Sequence, residues 1–198
     1  MTNISRFKEF VQNFTRLIDR FGNDEERIFS EGKNLLRELI VHDDWLPESF
    51  SNSHPERYQQ YLLHCDPMER FSIISFVWGP GQGSPVHDHT VWGMVGVMRG
   101  AEQCEEFQFD PTSGKLLAGK THKLKLGDVD MVSPRIGDIH KVSNALSDLP
   151  SVSIHIYGAN IGIVKRHIYE LYSEHKKTFI SGYSSTMIPN IWSSSRDL

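Results

Sequence analysis

The chain has 198 residues, 38% of them hydrophobic and 11% aromatic, which suffices for one sizeable core and would leave a second one small. A formal net charge of -4, with no long run of Lys or Arg, gives neither nucleic acid nor an acidic membrane surface an electrostatic hold. No apolar stretch approaches the roughly 20 residues of a bilayer span, the N-terminus lacks a secretory pattern, and the two cysteines, Cys65 and Cys104, are too few for a disulfide framework. The expectation is a soluble cytoplasmic protein with one domain over residues 1–198 and no signal for a particular oligomeric state.

In chain order, Ile4, Phe7, Phe10, Val11, Phe14, Leu17, Ile18 and Phe21 recur at intervals of three and four, the period of a helix with one buried stripe, and Gly22 and Asn23 end it. Asp24 is a good N-cap for a second helix that turns Ile28, Phe29, Leu35, Leu36, Leu39 and Ile40 inward, with acidic residues at the positive end of its dipole. This N-terminal helical segment, residues 1–45, reads as packing and not as chemistry. A short polar helix is expected around "ERYQQYLLHC". Beyond it, runs rich in β-branched and aromatic residues, separated by turn signals such as "DPTSGK" and "RIGD", predict strands over 70–78, 91–99, 103–109, 120–125, 129–133, 139–143 and 151–157. So many short strands predict an antiparallel sandwich or barrel over residues 70–158, and a helix near 161–175 followed by a Ser-rich tail completes residues 159–198.

The stretch "PVHDHTVWG" places His87 and His89 at i and i+2, so in extended backbone both project to one face while Asp88 points away. Gly81, Gly83 and Pro85 turn the backbone sharply just before the pair and stiffen it. The pair alone is equally readable as two surface histidines on an edge strand. A third histidine, His140 in "GDVDMVSPRIGDIHKVSN", decides against that. Gly81, His87, His89 and Gly100, then Gly127, Pro134, Gly137, His140 and Asn144, resemble the two motifs of the cupin superfamily, whose fold is a small β-barrel or jelly-roll sandwich. The glutamate usual in the first cupin motif is replaced here by Gly93. Three neutral imidazoles hold one face of a divalent metal, leave positions open, and leave the metal charge uncompensated, which favours an anionic ligand such as a thiolate. Ligand identity alone also allows zinc with an activated water, as in an isomerase or hydrolase, or a metal-binding cupin without catalysis.

In "SVSIHIYG" the side chains of Ser153, His155 and Tyr157 share one face and Val152, Ile154 and Ile156 the other. Either the polar face meets solvent, or the three groups are buried and hydrogen-bonded to one another, since an unpaired buried polar group costs roughly 1–3 kcal/mol. With "YLLHCDPMERFSIISFVWGPGQ", "PVHDHTVWGMVGVMRGAE" and "GDIHKVSN", this segment is similar to the thiol dioxygenases, the cysteine dioxygenase family, and most to the bacterial branch that includes 3-mercaptopropionate dioxygenase.

The resemblance spans about residues 55–170. It implies Fe(II) on His87, His89 and His140, an outer triad of Ser153, His155 and Tyr157, and insertion of both oxygen atoms of dioxygen into a small thiol carboxylate to give a sulfinic acid. Mammalian members carry a cysteine near Gly93 and Met94 that crosslinks to the tyrosine; this sequence has none there, so the thioether cannot form. Where mammalian members use an arginine for the substrate carboxylate, this chain has Gln60, with Gln59 the lesser candidate, and Arg166 matches a basic position of the bacterial branch. The implied substrate is 3-mercaptopropionate first and L-cysteine second. His42, His54, His64, His122, His167 and His175 lack the ligand spacing and read as surface or structural residues.

Overall fold

The computed structural model describes residues 2–173 and 175–184, so the Ser-rich tail expected at the C-terminus lies outside the described residues. Helix α1 (Ile4–Phe21) ends at Gly22, whose φ of +58° few other residues tolerate. Helix α2 (Glu25–Ile40) starts on Asp24, whose carboxylate accepts from the Arg27 backbone N–H. Among the described residues ten strands follow: β1 (Gln59–Cys65), β2 (Ser72–Trp78), β3 (Gly93–Arg99), β4 (Ala101–Phe109), β5 (Leu116–Lys125), β6 (Val129–Val132), β7 (His140–Asn144), β8 (Ser151–Tyr157), β9 (Arg166–Tyr169) and β10 (Lys176–Phe179). No helix among the described residues is long and apolar enough to cross a membrane.

One sheet has the order β1-β2-β8-β3-β6, all pairs antiparallel. The other has β5-β4-β7 and is carried on by single bridges from His87 to His140 on one side and to Ile168 on the other, which lead to the pair β9-β10. This is the mainly β sandwich of a cupin, with α1 and α2 laid on one face of the larger sheet. Alternation along β8 explains both faces: Val152, Ile154 and Ile156 pack with Phe14, Ile28, Leu36 and Ile40 of the helices, whereas Tyr157 packs with Ile74, Phe76 and Val142 inside the sandwich. Each such fully buried Leu, Ile or Phe contributes roughly 1.5–3 kcal/mol. Gly96 lets α2 approach β3, because a Cβ there would stand 2.9 Å from Ile40 Cδ1.

Two expected helices are strands. In "ERYQQYLLHC", Tyr61 and Leu63 share the face that packs on the helical cluster, and pairing with β2 (Gln60↔Phe76, Tyr61↔Ser75) overrides the polar, helix-compatible composition. The C-terminal helix expected over 161–175 does not form either. Ile161, Val164 and Ile168 imitate helical spacing, but the chain turns at 161–163 and then runs as β9 against β10, with Ile168 bridging His87. The unpaired edge beside His87 supplies backbone partners that a helix would have had to satisfy internally.

Candidate active site

His87, His89 and His140 converge at the inner end of the sandwich, with one ring nitrogen from each lying within 4.8 Å of the others. His87 and His140 are held opposite each other by two backbone bonds, His87 N–H to His140 O at 2.9 Å and His140 N–H to His87 O at 3.0 Å. Each Nδ1 has a partner on its outer side: the Pro85 carbonyl for His87 at 3.0 Å, the Asp138 carboxylate for His89 at 2.8 Å, and the Cys104 sulfur for His140 at 3.6 Å. That leaves the Nε2 atoms to face one another, and Nε2 of the fully buried His89 has no hydrogen-bond partner. An orphaned imidazole nitrogen aimed at two others is what a divalent metal satisfies, so these residues fit the metal that the motif implies. Burial lowers the pKa of all three, with His87 down to about 4, so they stand neutral and ready to donate lone pairs.

Asp138 is not among the fixed positions of the two histidine motifs. Its second oxygen accepts from the backbone N–H groups of His89 at 3.0 Å and Thr90 at 2.8 Å, which holds Thr90 at a φ of +60° and fixes the turn after His89. The signal was present as an acidic residue two positions before His140, on the same face of extended chain. Asp88 does point away, and there it accepts from the His167 backbone N–H and from Tyr169 Oη, both at 2.7 Å, tying the histidine segment to β9.

The polar face of β8 is buried, because it faces the interior of the sandwich, where Tyr157 packs with Val142 of the opposite sheet. Ser153 Oγ lies 2.8 Å from His155 Nε2, and His155 Nδ1 lies 2.8 Å from the Tyr157 hydroxyl. The His155 ring stacks on Phe76 with centroids 4.1 Å apart, and burial holds its pKa down to about 3, so it is neutral. Burial likewise pushes the Tyr157 phenol up. Gly93 faces Tyr157 across the β3–β8 ladder, and a Cβ there would stand 2.8 Å from ring atom Cδ1. Gly93→Ala is therefore expected to displace the Tyr157 ring and lower kcat by roughly 10- to 100-fold with metal content unchanged, as steady-state rates and metal analysis would show.

A cavity of about 530 Å³ opens beside these groups, lined by His87, His140, His155 and Tyr157 and, toward its outer side, by Gln60 and Arg166. Arg166 comes from β9 and is 3% exposed; its Nη2 donates to Ser181 Oγ at 2.5 Å, and its Nε is buried without a partner. Its charge helps to keep His87 and His89 unprotonated. Gln60 reaches the same cavity, but its side-chain amide donates to the carbonyls of Gly182 at 2.7 Å and Ser181 at 3.3 Å. Gln59 is turned to the Arg57 and Tyr58 carbonyls and does not line the cavity.

The family model described as cysteine dioxygenase type I matches residues 42–168, a span that holds both histidine segments, β8 and Arg166. The chain is 29% identical over 155 residues to cysteine dioxygenase type 1 of Danio rerio, covering 75% of this chain and 74% of that protein. It is 25% identical over 118 residues to the Bos taurus protein of the same name, covering 59% and 58%. Among solved structures, an uncharacterized conserved protein with a double-stranded β-helix domain from Klebsiella pneumoniae superposes with a TM-score of 0.49 at 15% identity, over 65% of this chain and 98% of that one. Since the matched model takes in more than half of the sequence, with His87, His89, His140, β8 and Arg166 inside it, the chain belongs to the cysteine dioxygenase type I family and is a thiol dioxygenase.

Proposed function

We propose that the protein is an Fe(II) enzyme that converts 3-mercaptopropionate to 3-sulfinopropionate, with His87, His89 and His140 as the metal ligands. When bound, the ferrous ion would supply the open positions at which a thiol and dioxygen can meet. The rest falls to the chain's own residues. Arg166 takes the carboxylate of the substrate: a charge-assisted bond fits its buried guanidinium, whose Nε is still unpaired. Tyr157, oriented by His155 and Ser153, holds a hydroxyl over the reacting end. Apolar walls from Phe76, Trp78 and Val142 limit water there. Two free, buried cysteines accord with a cytoplasmic setting.

The observation that carries the choice of thiol is the lining of the cavity. Among the described residues it contains Arg57 and Arg166 but no Asp or Glu that could meet an α-ammonium group. L-cysteine would bring that ammonium beside a divalent cation and an arginine, or lose it as the free amine; 3-mercaptopropionate has none to place. L-cysteine remains the second reading because the relatives carry the name cysteine dioxygenase. Side-by-side kinetics are expected to give kcat/KM for 3-mercaptopropionate higher by roughly one to three powers of ten, equivalent to about 1.4–4 kcal/mol. Equal or better turnover of L-cysteine would assign the chain to that substrate.

A further inference from the structure

Behind the Ser153 end of the triad lies a buried carboxyl group. Glu102 sits on β4, where exposed Gln103 separates it from buried Cys104, and its side chain points into the sandwich with no exposed surface. Neither carboxyl oxygen meets a donor at full hydrogen-bonding geometry. Strand β4 packs against β8, and the Ser153 and Ser151 hydroxyls on β8 oppose the effect of burial on its carboxyl. Its cross-strand neighbours are Leu124 on β5 and Asn144 on β7, and the nearby Cys104 thiol is pushed up to about 12 by burial and stays neutral. No charged side chain among the described residues shifts it. A carboxyl so placed, with only two hydroxyls near it, needs a reason to be there.

The hydrogen-bond chain supplies one. A neutral imidazole donates from one nitrogen and accepts at the other, so Ser153, His155 and Tyr157 can be ordered in only two directions. If Glu102 carries a proton, it donates to Ser153, Ser153 donates to His155 Nε2, and His155 Nδ1–H donates to the Tyr157 oxygen. The Tyr157 proton is then free to point into the cavity. If Glu102 is ionised, every bond reverses: Ser153 donates to Glu102, His155 Nε2–H donates to Ser153, and Tyr157 donates back to His155 Nδ1. The cavity then faces only lone pairs of the phenol.

We propose that Glu102 is the inner proton terminus of the Ser153–His155–Tyr157 chain, acting as a positioning residue whose protonation state sets whether Tyr157 donates into the cavity. The two arrangements interconvert with every atom accounted for. A thiol entering the cavity gives its S–H proton to Tyr157, Tyr157 passes its own to His155 Nδ1, Nε2–H passes to Ser153, and the Ser153 proton ends on the Glu102 carboxylate. One S–H bond is broken, one O–H bond is formed at Glu102, and no electrons are exchanged. Burial raises the Glu102 pKa to about 7, with Ser153 and Ser151 opposing, so both states are accessible near neutrality.

The link from Glu102 to His155 stands without any assumption about substrate; only its effect on turnover rests on the role given to Tyr157 above. Nitrogen-15 imidazole shifts of the metal-free protein test the link directly. The His155 proton is expected to move from Nδ1 to Nε2 as pH rises, with a midpoint near the Glu102 value of about 7. In Glu102→Gln, whose amide does not titrate, it should stay on one nitrogen at every pH. In Ser153→Ala, which cuts the chain and keeps the carboxyl, the pH response should vanish. A tautomer that is constant in the wild type, or that switches identically in Glu102→Gln, overturns the proposal. For the metal-loaded enzyme, kcat/KM of the wild type should change by roughly 10-fold across the same titration while Glu102→Gln stays flat at equal metal content. A tautomer switch with a flat wild-type kcat/KM would keep the terminus and overturn the role given to Tyr157.

Discussion

His89→Ala protein is expected to be purified with roughly a tenth or less of the wild-type metal and to lose about 10³-fold in turnover, more than the roughly 10- to 100-fold that losing an outer partner costs. His89 has the fewest alternatives of the three: it is fully buried, its Nδ1 is committed to Asp138, and its Nε2 has no hydrogen-bond partner. The fold should survive, because Asp138 keeps its bonds to the backbone N–H groups of His89 and Thr90. Asp138→Asn supplies the graded control. The amide still accepts from the backbone but no longer polarises the imidazole, so metal affinity should fall less than in His89→Ala and more than in the wild type. Metal analysis with circular dichroism checks both variants. Full metal occupancy in His89→Ala would remove that residue from the ligand set.

The second large effect concerns Arg166. Arg166→Met keeps most of the side-chain volume and the contact with the Phe179 ring, where the guanidinium carbon now lies 4.7 Å from the centroid, but removes the charge. Loss of one partner from a buried charge pair costs about 2–5 kcal/mol, so kcat/KM for 3-mercaptopropionate should fall by roughly 10²- to 10³-fold, mainly through KM. Metal content should not change. Gln60→Ala is expected to cost about 10-fold or less, since the Gln60 amide is engaged with the Ser181 and Gly182 carbonyls, and a neutral amide supplies no bidentate charged clamp in any case. Should Gln60→Ala prove the more damaging, the carboxylate would have to be placed at β1 instead of β9.

Much of this was readable from the sequence because it depends on local period. The stripe from Ile4 to Phe21 and the cap at Asp24 give α1 and α2, and "SVSIHIY" coincides with β8 residue for residue. The three histidines follow from spacing within two short segments. What local period does not carry is pairing at a distance. Arg166 was expected on a helix; it lies on β9 because the edge beside His87 and Ile168 was open, and that placement turns its side chain into the cavity. Gln60 was expected on a helix as well, and pairing with β2 brings it to the same cavity. Asp138 and Glu102 are single acidic residues in ordinary strand and turn text. Their meaning appears only when His89 and Ser153, 49 and 51 residues away along the chain, are set beside them.

Insertion of both atoms of one dioxygen molecule into a thiol is the reaction proposed for the three-histidine centre. Its most direct test is turnover of 3-mercaptopropionate by the Fe(II)-loaded protein under oxygen-18 gas, with oxygen uptake and sulfinate measured in the same reaction. One sulfinate is expected per dioxygen consumed, with both new oxygen atoms labelled, and no turnover when zinc replaces iron. Oxygen uptake that yields disulfide or peroxide without labelled sulfinate, or equal activity with zinc, would contradict it.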